Sequence, residues 1–360
     1  MNHRDLWRAS LTLLLVVTAC QRGKNDAAGS QKEAVKAESS EIEPGILAAF
    51  APLPKVMESK DNPLSEAKVD LGRMLYYENR LSKNHDLSCN SCHLLDKYGV
   101  DGRKVSSGHK AQMGVRNSTS SYNAAGHFVQ FWDGRAKDVE EQAKGPVLNP
   151  VEMAMPSEKA VEALLKSIPG YVDAFKKAYP ESQDPVTYDH MAKAIGAFER
   201  KLVTPGRWDK FLAGDRSALS AAEKQGFKTF VGTGCVACHN GPYLGGASYQ
   251  KLGNVKPWPN QKDQGRYEVS KNEADKMLFK VPSLRNVAKT APYFHDGSIA
   301  QLPEAVRKMA FHQLGRTLSD EETRAIVAFL EALTGELPSE YIKKPELPAS
   351  GPKTPKADLS

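Results

Sequence analysis

The chain's 360 residues suffice for about two domains, and 40% hydrophobic with 26% charged residues allows a packed core and excludes global disorder. A formal net charge of +6, with no arginine-rich stripe interleaved with aromatics, argues against a nucleic-acid partner. In chain order, Arg4 and Arg8 form a basic start, and Leu11 to Val17 supplies an apolar run far shorter than the roughly 20 residues of a membrane-spanning helix. The run ends in Val17-Thr18-Ala19-Cys20, small residues before a cysteine, which looks like a lipobox. Residues 1–19 therefore read as a lipoprotein signal peptide, and Cys20 as a lipidated mature N-terminus on the membrane. An ordinary signal peptide with an incidental cysteine is the rival reading. Gln21, where the enterobacterial sorting rule looks for aspartate, points to the outer membrane.

Residues 20–44, rich in Gln, Lys, Ala, Glu and Ser, read as a flexible tether. Helical signals follow. Val161, Leu164, Leu165 and Ile168 recur at helical spacing, as do Met191, Ile195, Phe198 and Leu202. Ser220 with Glu223 and Ser319 with Glu322 form capping-box starts, the second opening an apolar stripe of Ile326, Phe329, Leu330 and Leu333. Alternating strand patterns are scarce, so the fold is expected to be mainly α. A weak duplication, in which a helix (Leu64–Tyr77, then Leu219–Val231) runs into Cys-x-x-Cys-His, predicts two similar domains, 45–205 and 206–342, meeting near Pro205. Residues 343–360, with Pro345, Pro348, Pro352 and Pro355, read as a solvated tail.

With Cys20 lipidated, the other four cysteines fall into Cys89-Asn90-Ser91-Cys92-His93 and Cys235-Val236-Ala237-Cys238-His239, leaving none for a long-range disulfide. Both match the attachment pattern of a covalent haem c, in which two thiols take the vinyl groups and the adjacent histidine ligates iron. Zinc and a redox Cys-x-x-Cys pair are the rivals, and both leave the following histidine unexplained twice over. The sixth ligand decides what each haem does. A methionine raises the potential, and a displaceable ligand permits peroxide chemistry.

Beyond these motifs, Gln130-Phe131-Trp132-Asp133-Gly134-Arg135, Pro150-Val151-Glu152-Met153, Val281-Pro282-Ser283-Leu284-Arg285-Asn286-Val287 and Pro292-Tyr293-Phe294-His295-Asp296-Gly297 occur in order. From about Leu64 to Pro338 the chain resembles the bacterial di-haem cytochrome c peroxidases. The resemblance implies two cytochrome c-like haem domains facing each other across an interface, a calcium ion near that interface, and a homodimer. It makes His109 a displaceable distal ligand of the first haem, Glu152 the acid–base residue over that iron, and Gln142 a second distal residue orienting peroxide. Trp132 matches the tryptophan between the haems; alone, it reads as core. The second haem takes His239 and Met309, with Met277 as competitor. Related enzymes that mature quinone cofactors in methylamine oxidation carry tyrosine at the Met309 position. Calcium would be held by the Asn117 side chain, the Thr290 and Pro292 carbonyls and water. His295 is expected to serve structurally, by hydrogen bonding.

These expectations describe a periplasmic, lipid-anchored peroxidase that reduces hydrogen peroxide to water. Its electrons would come from a small periplasmic carrier, cytochrome c or a blue copper protein. The rivals are a di-haem electron carrier without turnover and a related di-haem oxidase acting on another substrate.

Overall fold

The computed structural model describes residues 42–359; the predicted signal peptide, Cys20 and most of the tether lie outside the described residues. Helices α1 (Glu66–Tyr76), α2 (Val139–Leu148), α3 (Glu158–Lys166), α4 (Pro169–Ala178) and α5 (Tyr188–Glu199) build the N-terminal half. Helices α6 (Arg207–Leu212), α7 (Ala221–Thr233), α8 (Leu302–Leu314) and α9 (Asp320–Ala332) build the C-terminal half. None of the helices among the described residues is long and apolar enough to cross a membrane.

Each half is organised by one helix crossing, and a glycine makes each crossing close. A Cβ on Gly72 of α1 would lie 1.8 Å from the Ala194 carbonyl oxygen of α5, and one on Gly226 of α7 would lie 2.0 Å from the Ala325 oxygen of α9. In each case the next neighbour is a phenylalanine Cβ, Phe198 or Phe329. Around the first crossing Leu71, Leu75 and Tyr76 pack with Met191, Ile195 and Phe198. Around the second, fully buried Trp208 meets Phe227 and Phe329 at ring distances of 5.1 and 5.2 Å. Both predicted capping boxes form: Ser220 and Glu223 exchange bonds of 2.8 and 3.3 Å, Ser319 and Glu322 bonds of 2.8 and 3.1 Å. The stripe on α9 is buried as its spacing requires.

The regular strands among the described residues, β1 (Tyr249–Lys251) and β2 (Leu278–Lys280), pair antiparallel with Tyr249 opposite Lys280. Lys280 N donates to Trp132 O at 2.8 Å, which ties this ribbon to the N-terminal half.

The ends of the chain correct the predicted layout, because each docks on the opposite half. Ile42 and Phe50 belong to the C-terminal core, where Phe50 packs edge-on to Trp208 at 5.7 Å and Leu53 N donates to Asp209 Oδ1 at 2.8 Å. The end of the tether and the start of the predicted 45–205 domain thus belong physically with the second half. Residues 343–360, expected to be a solvated tail, carry mostly exposed side chains, yet the segment is docked where it leaves the C-terminal half. Tyr341, Ile342 and Leu347 pack against the N-terminal core, and Tyr341 stacks on Phe198 at 5.1 Å. Proline keeps this segment extended, so its carbonyls are open to side-chain donors. Arg80 takes Pro348 O and Tyr77 takes Ile342 O, at 2.8 and 2.5 Å. Burying a large apolar side chain contributes about 1.5–3 kcal/mol, enough to hold such a strap down.

Candidate functional site

The first Cys-x-x-Cys-His lies on a single helical turn, Cys89–Cys92, started by Ser88, whose N–H donates to Ser91 Oγ at 3.0 Å. His93 leaves the turn, and its Nδ1 meets Thr119 O at 2.8 Å. That partner assigns the proton to Nδ1 and leaves Nε2 for a metal. The second motif repeats the device: Gly234, in the left-handed region, ends α7 directly before Cys235, and His239 Nδ1 donates to Leu244 O at 3.0 Å. Burial holds His239 below the ordinary histidine value, in the neutral form that ligates.

Burial also pushes the thiols of Cys89 and Cys235 up to about 12. This is the reverse of a redox Cys-x-x-Cys pair, whose attacking thiol is held low. Nor do three or more His, Cys, Asp or Glu side chains converge as a metal-ion site among the described residues, so neither motif is part of a four-ligand zinc set there. Cys235, Cys238, His239 and Met309 instead line one cavity of about 1230 Å³, its open mouth included. Its wall also carries His295, buried with neither ring nitrogen hydrogen-bonded. Apolar walls, paired thiols, an oriented imidazole and orphaned polar atoms fit a covalently attached haem.

Met309, on α8, stands on that wall. Met277 is packed with Trp258 and Phe279 and is not among the lining residues. The expectation that the His295 side chain hydrogen-bonds needs correction, since neither ring nitrogen has a partner within the protein: the ring stacks on Phe279 at 4.4 Å and lies edge-on to Trp132 at 6.5 Å. Trp132 reaches the same cavity from the N-terminal half, with its Nε1 donating to Asn117 O at 3.0 Å.

On the first motif's side the structure brings His109 and Glu152 together. His109 is buried and its N–H donates to Glu152 O at 2.7 Å, while Gly108 packs directly on Val151. The next two residues, Lys110 and Ala111, both sit at positive φ (53° and 57°), strain that non-glycine residues rarely accept. Glu152 is half-buried and close enough to Cys92 to raise its thiol pKa, after burial and other influences. Asn149 Nδ2 donates to Glu152 Oε1 at 2.7 Å, and Asn149 Oδ1 accepts from Val151 N at 3.0 Å. Asn149 was missed in the sequence, although Asn149-Pro150 is a turn signal. Gln142 is half-buried on α2.

Asn117 bridges the halves: its N–H donates to His295 O at 2.7 Å and its Nδ2 to Arg103 O at 3.0 Å. The Thr290–Pro292 turn opens the segment that ends at His295. Beside it, Arg116 binds Asp263 through Nε and Nη2 at 2.6 and 2.7 Å, and also binds Asp133. Lys280, another residue missed in the sequence, is buried on the cavity wall.

Residues 66–217 match the family model for di-haem cytochrome c peroxidase, and residues 223–334 match that for cytochrome c. The cytochrome c551 peroxidase of Pseudomonas aeruginosa is 47% identical over 316 residues, covering 86% of this chain and 90% of its own. That of Nitrosomonas europaea is 46% identical, covering 87% and 92%. The methylamine utilization protein MauG of Methylorubrum extorquens is 34% identical, covering 84% and 88%. Among solved structures, a MauG-like protein associated with microbial copper homeostasis superimposes with a TM-score of 0.72 at 29% identity, covering 81% of this chain and 97% of its own.

Proposed function

The chain belongs to the bacterial di-haem cytochrome c peroxidase family, and on that premise we propose how its two halves divide the work. Its activity is that of a cytochrome-c peroxidase, reducing hydrogen peroxide to water with electrons from a periplasmic donor, and its cofactors are two haems c. Bound at Cys89, Cys92 and His93, the first haem supplies the redox chemistry that cleaves the O–O bond. Around it, Glu152 takes the proton of peroxide's inner oxygen and returns it to the outer one, which leaves as water. Asn149, bonded to Glu152 Oε1 at 2.7 Å, aims the carboxylate, and Gln142 orients peroxide by hydrogen bonding. His109 would be a displaceable ligand to the first haem, released when its loop withdraws. The strain at Lys110 and Ala111 supports a displaceable loop, because it lowers the cost of opening.

Cys235, Cys238, His239 and Met309 would hold the second haem, which would supply one-electron transfer from the donor, and Trp132, on the wall of that cavity, would couple it to the N-terminal half. A small donor, cytochrome c or a blue copper protein, docks near α8, where Phe311 and neighbouring Val255 are exposed. Calcium is held by Asn117 with the Thr290 and Pro292 carbonyls, lending rigidity to the junction. The chain is anchored in the periplasm by lipid on Cys20, on the outer membrane, and works as a homodimer.

The observation that carries the division is the 2.7 Å bond from His109 N to Glu152 O, which joins the distal ligand to the acid–base residue. The test is peroxide-dependent oxidation of reduced cytochrome c by fully oxidised and by half-reduced protein. Turnover only after half-reduction, and its loss in Glu152→Gln, is the expected result. Undiminished turnover in Glu152→Gln would refute the acid–base role.

A further inference from the structure

The cavity that takes the second haem has an unbalanced wall. Lys280 is 4% exposed and His295 2% exposed, and no Asp or Glu is among the lining residues. The three protons of the Lys280 ammonium meet two acceptors among the described residues, Val129 O at 3.2 Å and His127 Nδ1 at a long 3.4 Å. Asp133, the acid whose charge Lys280 feels, is already bound by Arg116 and Arg135. Burial accordingly pushes the Lys280 amine down to about 8. Among the residues lining the same cavity, both His295 nitrogens lack a partner. A buried cation without an anion and an imidazole without any bond are each costly, so the pair is built for an acidic ligand.

We propose that Lys280 and His295 form the receptor for the propionate carboxylates of the second haem, a reading that rests on this cavity being the haem's. Lys280 donates a charge-assisted hydrogen bond, and His295 donates from one ring nitrogen. Because Lys280 is held by Val129 O and, through its own N–H, by Trp132 O at 2.8 Å, the anchor belongs to both halves. Its positive charge, buried beside the cofactor, favours the reduced iron and raises this haem's potential.

The test is a spectroelectrochemical titration of the second haem in full-length holoprotein, comparing wild type with Lys280→Met and Lys280→Arg. Lys280→Met is expected to lower the ferrous-to-ferric ratio at fixed potential by about tenfold, equivalent to 59 mV for one electron. Lys280→Arg keeps the charge and stays near wild type. An unchanged midpoint in Lys280→Met with both haems attached overturns the proposal. Should that variant fail to load haem, His295→Phe decides, since it retains the ring stacked on Phe279 and removes both nitrogens. The propionate bending band in its resonance Raman spectrum shifts if His295 is a donor, and an unshifted band overturns the assignment. Both readouts follow the second haem whatever its sixth ligand, so a failure of Met309 ligation would be seen separately, as an unaltered spectrum in Met309→Ala.

Discussion

Replacing Gly108 by alanine would set a methyl carbon 2.0 Å from the Val151 carbonyl oxygen and 2.8 Å from Glu152 Cα. Carbon needs about 3.5 Å from such neighbours, so the two backbones must separate by more than 1 Å. The separation breaks the 2.7 Å bond from His109 N to Glu152 O. Overpacking of this kind costs about 1–3 kcal/mol, and the lost hydrogen bond about 1 kcal/mol more. Taking about 2–3 kcal/mol together, and about 1.4 kcal/mol per factor of ten, the ratio of open to closed loop rises roughly thirty- to hundredfold. With His109 as the proposed sixth ligand, cyanide binding to the first haem of fully oxidised protein reads this ratio directly, because cyanide would have to displace it and its apparent affinity would scale with the open fraction. Gly108→Ala is expected to bind cyanide about thirtyfold more tightly and to react with peroxide without prior reduction. A cyanide affinity within threefold of wild type, in a protein with both haems attached, would refute the claim that packing of Gly108 on the Val151–Glu152 turn holds His109 closed.

Glu199 is buried, and desolvation, helped by the Glu140 charge, pushes its carboxyl up to about 8 from 4.5. The native state therefore holds this proton more tightly than the unfolded chain does, so the contribution of Glu199 to stability is fully present below pH 4.5 and is lost as pH rises towards 8. Glu199→Gln should flatten that decline, raising the melting temperature at pH 7.5 more than at pH 5; superimposable melting profiles would contradict it. Gly72→Ala and Gly226→Ala should each cost at least about 1–3 kcal/mol by forcing their helices apart, read as a lower urea midpoint. Equal midpoints would show that the crossings can relax. Truncation after Pro338 removes Tyr341, Ile342 and Leu347 from the N-terminal core, and hydrogen exchange should quicken in α1 and α4 while α7 and α9 keep their protection. Uniform change across both halves would count against a local strap.

Much of this architecture was legible because its causes are local. Two thiols and a histidine must be adjacent in sequence to reach one haem, so Cys89 to His93 and Cys235 to His239 declare themselves. The stripe on α9 and the serine–glutamate caps follow from helical geometry within a turn or two. The crossing of the chain ends has no such local cause. Ile42 and Phe50 look like stray apolar residues after a polar tether, and the prolines after Lys343 describe extended backbone without naming the surface it covers. Gly72 and Gly226 alone read as a helix penalty of about 1 kcal/mol. Their purpose appears only with Ala194 and Ala325 opposite. Likewise His295, one of several histidines in the sequence, becomes informative only when both its nitrogens are buried and unbonded.

The loop that carries His109 is restrained unequally at its two ends, and this limits how it can open. At its far end Arg116 is half of a partly buried bidentate pair with Asp263 and also binds buried Asp133, while the Asn117 main chain accepts from Trp132 Nε1 and donates to His295 O. Removing one partner of such a buried pair costs about 3–5 kcal/mol, more than the contacts estimated for Gly108. Arg116 therefore stays in place when the loop moves. On the proposed ligand role, withdrawal of His109 would be confined to the residues before Arg116, where Lys110 and Ala111 are strained and Met113 and Val115 are exposed. The fixed end is bonded to Trp132 and His295, two residues on the wall of the second cavity. A rearrangement of that wall thus reaches the base of the His109 loop through two residues, Arg116 and Asn117. A change confined to the loop's exposed tip has no such route back, so Val115→Ser should leave the second haem's potential unaltered, whereas Trp132→Phe, which removes the Nε1 donor to the Asn117 main-chain oxygen, should shift it.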